Sequence, residues 1–496
     1  MGDGMTAEMG LGAIMVGDCR ETLRGLAAGS VQCVVTSPPY WGLRVYQDGE
    51  APVEPVVWGG GPDCEHQWGE ALPHGRRGNR GVSGTGGNLH PALAAAGSGA
   101  GSGNSGTACT LCGAWLGCLG AEPLHDCLAW ARGEDPCPTC YVCHLRTVAR
   151  ELWRVLRDDG VMWLNLGSTM NSNPTKSGFG LQDGKPIPHF ETGTRAPGTG
   201  NCRTPGLKPT DLVMIPALVA LALQADGWFL RSDVIWAKPN PMPSSCTSRP
   251  SNAHEHIFML TKRPGSQAYF DMEAVKEPQR HTSVERAQRA DMRGKPGWSE
   301  AYHGNPPKGL AKQSERDTST GRHLRDVWTI PTRGVGLAHF AVFPLDIPAR
   351  CIRASTSEVG CCPSCGAPWQ RVMERTEDPD TSAKGSRFDA GKTAARDGGD
   401  RTQPGERTTK RTAGWRPGCE CGREDVQPCL VLDPFFGAGT TGLAAQKLGR
   451  RWVGSEISER YAEMAALRIR AGGKAKLMDE FEGAEKVGQR GLFSEN

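Results

Sequence analysis

Residues 429–441 read Cys-Leu-Val-Leu-Asp-Pro-Phe-Phe-Gly-Ala-Gly-Thr-Thr. The apolar run 430–432 suits a strand buried on both faces, as in a parallel sheet. Gly437 and Gly439 make a tight turn, and Thr440 is placed to cap a helix over 441–448. A second strand, 451–455, ends at Glu456, 23 positions after Asp433. In doubly wound α/β domains an acid about 20 residues past such a turn binds ribose hydroxyls. The glycines do not follow G-x-G-x-x-G, so a pyrophosphate fits this turn poorly. A strand–turn–helix without a ligand is the plainer reading, because a Gly-rich loop alone is a weak signal.

Working outward, the other end of the chain carries Val31-Gln-Cys-Val-Val35 and then Thr36-Ser-Pro-Pro-Tyr-Trp41. Another buried strand ends, and two prolines force an extended loop, since each fixes its own φ and disfavours helix before it. The loop offers a hydroxyl (Ser37), backbone carbonyls and an aromatic ring (Tyr40) at a sheet's carboxyl edge, where open α/β sheets bind ligands. A flat base with an exocyclic amine suits it: the ring stacks on Tyr40 while Ser37 and a carbonyl accept from the NH2.

Ser37-Pro38-Pro39-Tyr40 resembles motif IV of the DNA amino-methyltransferases, which modify N4 of cytosine or N6 of adenine, and Asp433–Thr440 closely resembles their motif I, which binds S-adenosylmethionine. On that resemblance Thr36, Asp433, Pro434, Phe435, Gly437, Gly439 and Thr440 belong to the cofactor site, and Glu456 holds the ribose. The catalytic loop precedes the cofactor loop by about 400 residues, which matches the permuted β group of the family. Gly17-Asp18-Cys19 then corresponds to the acidic residue near the cofactor's adenine. Asp18 also reads as the N-cap of a helix over 21–26, and the two roles are compatible. The resemblance implies a Rossmann-like S-adenosylmethionine-dependent methyltransferase. It would have a mostly parallel doubly wound sheet, a circularly permuted motif order and cysteine-rich insertions.

Further segments fit. The spacing predicts a helix over 148–156 that stops at Asp158-Asp159-Gly160 before a strand at 161–166, a helix over 212–223 and a strand over 228–236. In Trp163-Leu-Asn-Leu-Gly167 the family continues with an aspartate; position 168 here is Ser, so no role is placed on it. "RPSNAHEHIFMLTK" (249–262) resembles the strand and loop beside the target base, with an apolar strand at 257–260. Arg249, His254 and Glu255 serve either a nucleic-acid contact or a structural ion pair. Residues 337–344 resemble the segment closing over the cofactor's methionine end, where Phe343 packs either on the cofactor or in the core.

The bulk composition sets limits. With 66 glycines and 36 prolines in 496 residues, long irregular insertions are expected. A net charge of +3 does not by itself supply a DNA-binding face. No signal-peptide pattern or membrane-length apolar run is visible, so a cytoplasmic protein is expected. Many of the nineteen cysteines fall in C-x-x-C pairs, which favours zinc over disulfides.

The first insertion, 60–147, holds Cys64-Glu-His66 and Cys109-Thr-Leu-Cys112, enough for a closed tetrahedral zinc site, separated by a flexible Gly/Ser/Ala tract at 81–107. Cys127, Cys137, Cys140 and Cys143 make another candidate set, with Cys118 nearby. The second insertion, 360–428, pairs Cys362-Pro-Ser-Cys365 with Cys419-Glu-Cys421 around a polar, weakly ordered 374–416. One or two zinc ions, or three, would be structural, because methyl transfer from a sulfonium needs no metal. The other segments are catalytic-loop (10–59), core (148–274), target-recognition (275–330), cofactor-closing (331–359), cofactor-binding (429–475) and tail (476–496) pieces.

The expected activity is methyl transfer to an amine in double-stranded DNA. The base leaves the stack, Tyr40 stacks on it with Trp41 shaping the pocket, and Ser37 and the Pro38 carbonyl accept the amine hydrogens. Ser at position 37 resembles the cytosine-N4 group, whereas Asp or Asn is commoner in the adenine-N6 group. Competing readings are a non-catalytic zinc-containing nucleic-acid-binding protein, and methylation of RNA or protein amines. Basic residues over 275–325 suit phosphate contacts or a solvated loop. Gln489-Arg-Gly-Leu-Phe493 resembles peptides that dock into sliding clamps, a mobile tail being the other reading. A cognate restriction enzyme is a partner the family allows.

Overall fold

The computed structural model describes residues 6–41, 47–48, 51–52, 56–69, 72–73, 104–122, 124–171, 181–182, 185–186, 207–208, 210–244, 246–278, 321–332, 342–377 and 408–473. The chain divides into two compact units: 1–269 with 326–356 and 427–496, and 270–325 with 357–426.

The larger unit is built on a nine-stranded sheet. In chain order its strands are β1 (Thr6–Met9), β2 (Gly12–Val16), β3 (Val31–Thr36), β4 (Leu156–Leu166), β5 (Phe229–Ala237), β6 (His254–Thr261), β7 (Val327–Thr329), β8 (Leu430–Asp433) and β9 (Arg451–Glu456). Their spatial order is β1-β2-β9-β8-β3-β4-β6-β5-β7. Only β1 and β6 run against the rest. The permuted order of the motifs thus ends in adjacency: β3 pairs in parallel with β8, Cys33 opposite Val431 and Val34 opposite Leu432.

Alternation along the central strands covers both faces of the sheet. Val34, Met162, Leu164 and Leu432 join one apolar cluster with helices α1 (Tyr141–Val155) and α2 (Ile215–Ala225). The intervening Trp163 instead donates its indole N–H to Ser355 Oγ at 2.8 Å, at the end of helix α3 (Asp346–Ser355). Helix α4 (Thr440–Lys447) packs on α3, β8 and β9, and α5 (Glu459–Arg470) packs on α4, β2 and β9. Every residue of β3 is buried, as a strand covered on both faces requires.

Several boundaries differ from the sequence expectation. Helix α1 starts at Tyr141, inside the segment given to the first insertion, because Cys140 caps it by accepting the Cys143 N–H. Asp158-Asp159-Gly160 does not stop that helix. It lies within β4, where five steps of β4 oppose two of β3. This bulge absorbs the extra residues, and Lys262 and Arg263 neutralise Asp158, each at 2.9 Å. Helix α2 is Ile215–Ala225 and the strand after it Phe229–Ala237. Strand β6 begins at His254, so His254 and Glu255 are strand residues rather than a loop before it. Residues 327–329, given to the recognition region, pair with β5.

The first insertion and the strand just before it form a four-stranded antiparallel sheet, ordered Val56–Trp58, Trp115–Gly117, Asn104–Ala108, Leu72–Pro73. The end of the expected flexible tract is therefore a strand, held by backbone pairing that its Gly/Ser composition did not signal. The rest of that tract, to residue 103, lies outside the described residues.

In the smaller unit Gln370–Glu377 and Thr408–Arg416 form a hairpin, so both ends of the expected weakly ordered segment are paired. Arg371 holds the buried Asp271 at 2.9 Å. Lys276 pairs with Glu273, and Arg322 and Arg325 both pair with Glu277. Arg280, Arg286, Arg289, Arg293, Lys295, Lys308, Lys312 and Arg316 of the basic stretch, and the tail motif at 489–493, lie outside the described residues. No described helix is long and apolar enough to cross a membrane.

Candidate active site

Adjacent strands β3 and β8 end side by side, and their ends are tied together. Thr36 Oγ1 donates to Asp433 Oδ1 at 2.7 Å, Thr441 Oγ1 donates to Asp433 Oδ2 at 2.7 Å, and the Phe435 N–H donates to Asp433 Oδ1 at 3.1 Å. Burial pushes the Asp433 carboxyl up to about 7, although these three donors favour its ionised form.

The turn after β8 is shaped by Gly437 (φ +50°) and Gly439 (φ +72°), in the left-handed region that glycine enters without strain. Gly439 occupies the N-cap of α4, so Thr440 is the first helical residue rather than the cap. Its hydroxyl instead accepts from Arg468 at 2.8 Å, and the same guanidinium nitrogen donates to the Ala438 carbonyl at 2.7 Å. At the end of β9, Glu456 accepts from the Gly437 N–H at 2.7 Å and the Ser458 N–H at 3.0 Å.

These ends frame one cleft. Asp433, Pro434, Phe435, Phe436, Gly437, Ala438 and Thr440 line one side, Glu456, Ile457 and Tyr461 another. Asp18, Cys19, Ser37, Pro39, Val342 and Phe343 line the cleft as well. Asp18 also caps the helix Cys19–Thr22, as one of its two sequence readings expects, and forms an ion pair with Arg20. Thr36 and Gly439 are not on the cleft surface; they set the shape of the residues that are.

The first insertion and the strand just before it supply a wall that the sequence did not foretell. Val56, Trp58, Cys118 and Leu119 line the cleft beside Asp18. The Arg20 guanidinium lies 4.0 Å above the Trp58 ring and donates to the Val57 carbonyl at 2.9 Å. No local pattern flags these residues, because their role comes from a distant pairing.

Beyond Ser37 the loop turns inward. The Pro39 carbonyl accepts from the Tyr141 hydroxyl at 2.8 Å, and Pro38 is buried. Tyr40 donates its hydroxyl to Glu255 Oε2 at 2.7 Å and accepts from Asn165 Nδ2 at 2.8 Å. Burial, and next the Glu255 charge, hold the Tyr40 hydroxyl well above its ordinary value. Lys238 donates to the other Glu255 oxygen. Sequence reasoning placed no role on Asn165 or Lys238; their signal was chemical type alone.

Trp41 does not reach the cleft. It is buried in the core, donates to the Glu122 carbonyl at 3.1 Å and packs on His125. Packing on the first insertion claims the ring that the sequence reading gave to the base pocket. Arg249 is exposed and donates to the neighbouring Pro250 carbonyl. His254 is exposed on β6, edge-on to His256.

The cysteines converge in three sets. Ligand atoms of Cys64, His66, Cys109 and Cys112 lie within 4.8 Å of one another, as do those of Cys127, Cys137, Cys140 and Cys143, and those of Cys362, Cys365, Cys419 and Cys421. Sulfurs at about 2.3 Å from a tetrahedral zinc stand roughly 3.8 Å apart. The Cys64–Cys109 separation is 3.9 Å, and Cys127 is 3.6 Å from both Cys140 and Cys143. Cys118 stands outside these sets, on the cleft.

The chain is 27% identical over 457 residues to Type II methyltransferase M.SmaI of Serratia marcescens, covering 92% of this chain and 90% of that one. It is 26% identical over 462 residues to Type II methyltransferase M.Cfr9I of Citrobacter freundii, covering 93% and 89%. Among solved structures it is similar to PvuII DNA methyltransferase (cytosine-N4-specific), at 13% identity and a TM-score of 0.39, covering 97% of this chain and 94% of that one. The pattern of the N6_N4_Mtase family, described as DNA methylase, matches residues 31–362 and 429–467, which take in both the catalytic and the cofactor loops. The chain belongs to this DNA methylase family.

Proposed function

We propose that this DNA methyltransferase acts on the exocyclic N4 of cytosine in double-stranded DNA, with S-adenosylmethionine as the methyl donor. The observation that carries the reading is Ser37. It opens onto the cleft from the end of β3, beside the cofactor loop of β8, and a serine here resembles the cytosine-N4 group. Adenine N6 is the alternative target. Mass analysis of nucleosides from DNA treated with the protein tests the choice.

The residues fit the donor. Glu456 is a buried carboxylate that lines the cleft, fixed by the Gly437 and Ser458 N–H groups, and a carboxylate accepts from ribose hydroxyls. Asp18 and Phe343 both line the cleft, and on the family resemblance the first serves the cofactor's adenine and the second its methionine end. Bound there, S-adenosylmethionine supplies an electrophilic methyl carbon on a sulfonium.

The chain's own part is alignment and electrostatics. The amine's lone pair is delocalised into the base ring. The Ser37 oxygen and the Pro38 carbonyl accept its hydrogens and draw the nitrogen toward sp3, so the lone pair becomes available. The base is extruded to reach them, with the Tyr40 ring as its platform. Arg249 and His254, both exposed, are offered as DNA contacts.

The three cysteine sets are proposed as structural zinc sites. Each supplies four ligands, so none leaves an open position for chemistry. The first staples a sheet of short strands, the second the cap of α1, and the third the two ends of the second insertion. The Type II names of the relatives support a role as the modification partner of a restriction enzyme.

A further inference from the structure

The loop's serine can act only as an acceptor toward the base if its own proton is directed elsewhere. A free hydroxyl rotates and offers a substrate amine either a hydrogen or a lone pair. Here the surroundings fix the direction. Glu255, as a carboxylate, can only accept, so Tyr40 gives its proton to Glu255 Oε2 at 2.7 Å. Tyr40 Oη is then left to accept, from Asn165 Nδ2 at 2.8 Å and from the Ser37 hydroxyl at 3.3 Å. With its hydrogen aimed at Tyr40, Ser37 keeps a lone pair for the cleft it lines.

We infer that Glu255, held by Lys238 and Asn165, is a positioning residue that polarises Tyr40 and thereby fixes Ser37 as an acceptor for the substrate amine. The inference rests on the amine-methylation reading but not on the choice between cytosine and adenine. Three observations favour it over a mere core ion pair. Asn165 Nδ2 touches every member, at 2.8 Å from Tyr40, 2.9 Å from Glu255 Oε2 and 3.5 Å from Ser37 Oγ. Asn165 is buried and its Oδ1 has no partner among the described residues, which leaves a second acceptor on the amide that touches Ser37. Lys238 meets Glu255 through the oxygen that Tyr40 does not use.

The same chain gives the departing proton a path. As the amine nitrogen gains its bond to carbon it sheds one proton to Ser37 Oγ. Ser37 passes its own proton to Tyr40 Oη, and Tyr40 passes its proton to Glu255 Oε2. Ser37 and Tyr40 end neutral as they began, and Glu255 ends protonated. A methylated, protonated base amine is strongly acidic, so the acceptor needs position more than basicity.

The test uses single-turnover methylation of unmethylated DNA by the wild type, Glu255→Gln, Tyr40→Phe and the double variant. Melting temperature, the Kd for S-adenosylmethionine and the KM for DNA are measured on each. The expected result is a loss of roughly 10- to 100-fold in the rate for Glu255→Gln, with Kd and KM little changed. The double variant should be no slower than the slower single one, because both cut one chain. Glu255→Gln at the wild-type rate, or losses that multiply, would overturn the inference. If Glu255→Gln does not fold, Tyr40→Phe carries the test, and a wild-type rate in it overturns the inference as well. A wild type that binds the donor yet methylates no DNA would instead overturn the functional reading beneath it.

Discussion

Thr36 Oγ1 lies 2.7 Å from Asp433 Oδ1, which joins the strand of the catalytic loop to the strand of the cofactor loop across 397 residues of chain. The hydrogen bond is buried and satisfies an acidic group that has no ion-pair partner among the described residues. It makes two distant motifs one site.

Thr36→Val keeps the shape and removes this donor. The loss of a hydrogen bond to a buried acidic group costs about 1–3 kcal/mol. We expect a lower melting temperature and a several-fold weaker donor affinity, read by calorimetric titration. Unchanged values for both would mean that Asp433 does not depend on Thr36.

Asp433 also makes stability depend on pH. Burial raises its carboxyl from the ordinary 3.8 to about 7, so the folded chain binds this proton more tightly than the unfolded one. Stability from this group is complete below about pH 4 and declines as pH rises to about 7. Asp433→Asn should remove that slope. Urea midpoints of the two proteins between these pH values test it; parallel profiles would contradict it.

Metal removal should be felt at the cofactor cleft. Val56 and Trp58 line the cleft from the strand leading to Cys64 and His66, and Cys118 and Leu119 follow the strand after Cys112. Elemental analysis should find zinc, and chelation or Cys112→Ala should weaken donor binding by several-fold. Zinc-free protein with full donor affinity would refute both the metal and its coupling to the cleft.

Much of the site was legible because two motifs carry chemistry in adjacent residues. Asp433, Pro434, Phe435, Gly437, Glu456 and Ser37 all reach the cleft. What escaped depends on pairing across the fold. Trp58 has no neighbour in sequence that marks it, and Glu255 meets Tyr40 over 215 residues. Trp41 reads as a pocket residue until the first insertion packs on it. The helix boundary at Tyr141 moved because a cysteine caps it, a role that the apolar periodicity of 148–156 does not express.

The most direct measurement is the identity of the methylated nucleoside. DNA lacking prior methylation is treated with the protein and S-adenosylmethionine, digested to nucleosides and analysed by mass. The account predicts N4-methylcytosine, lost in Ser37→Ala while donor binding persists. N6-methyladenine alone, or no methylated nucleoside at all, would contradict it.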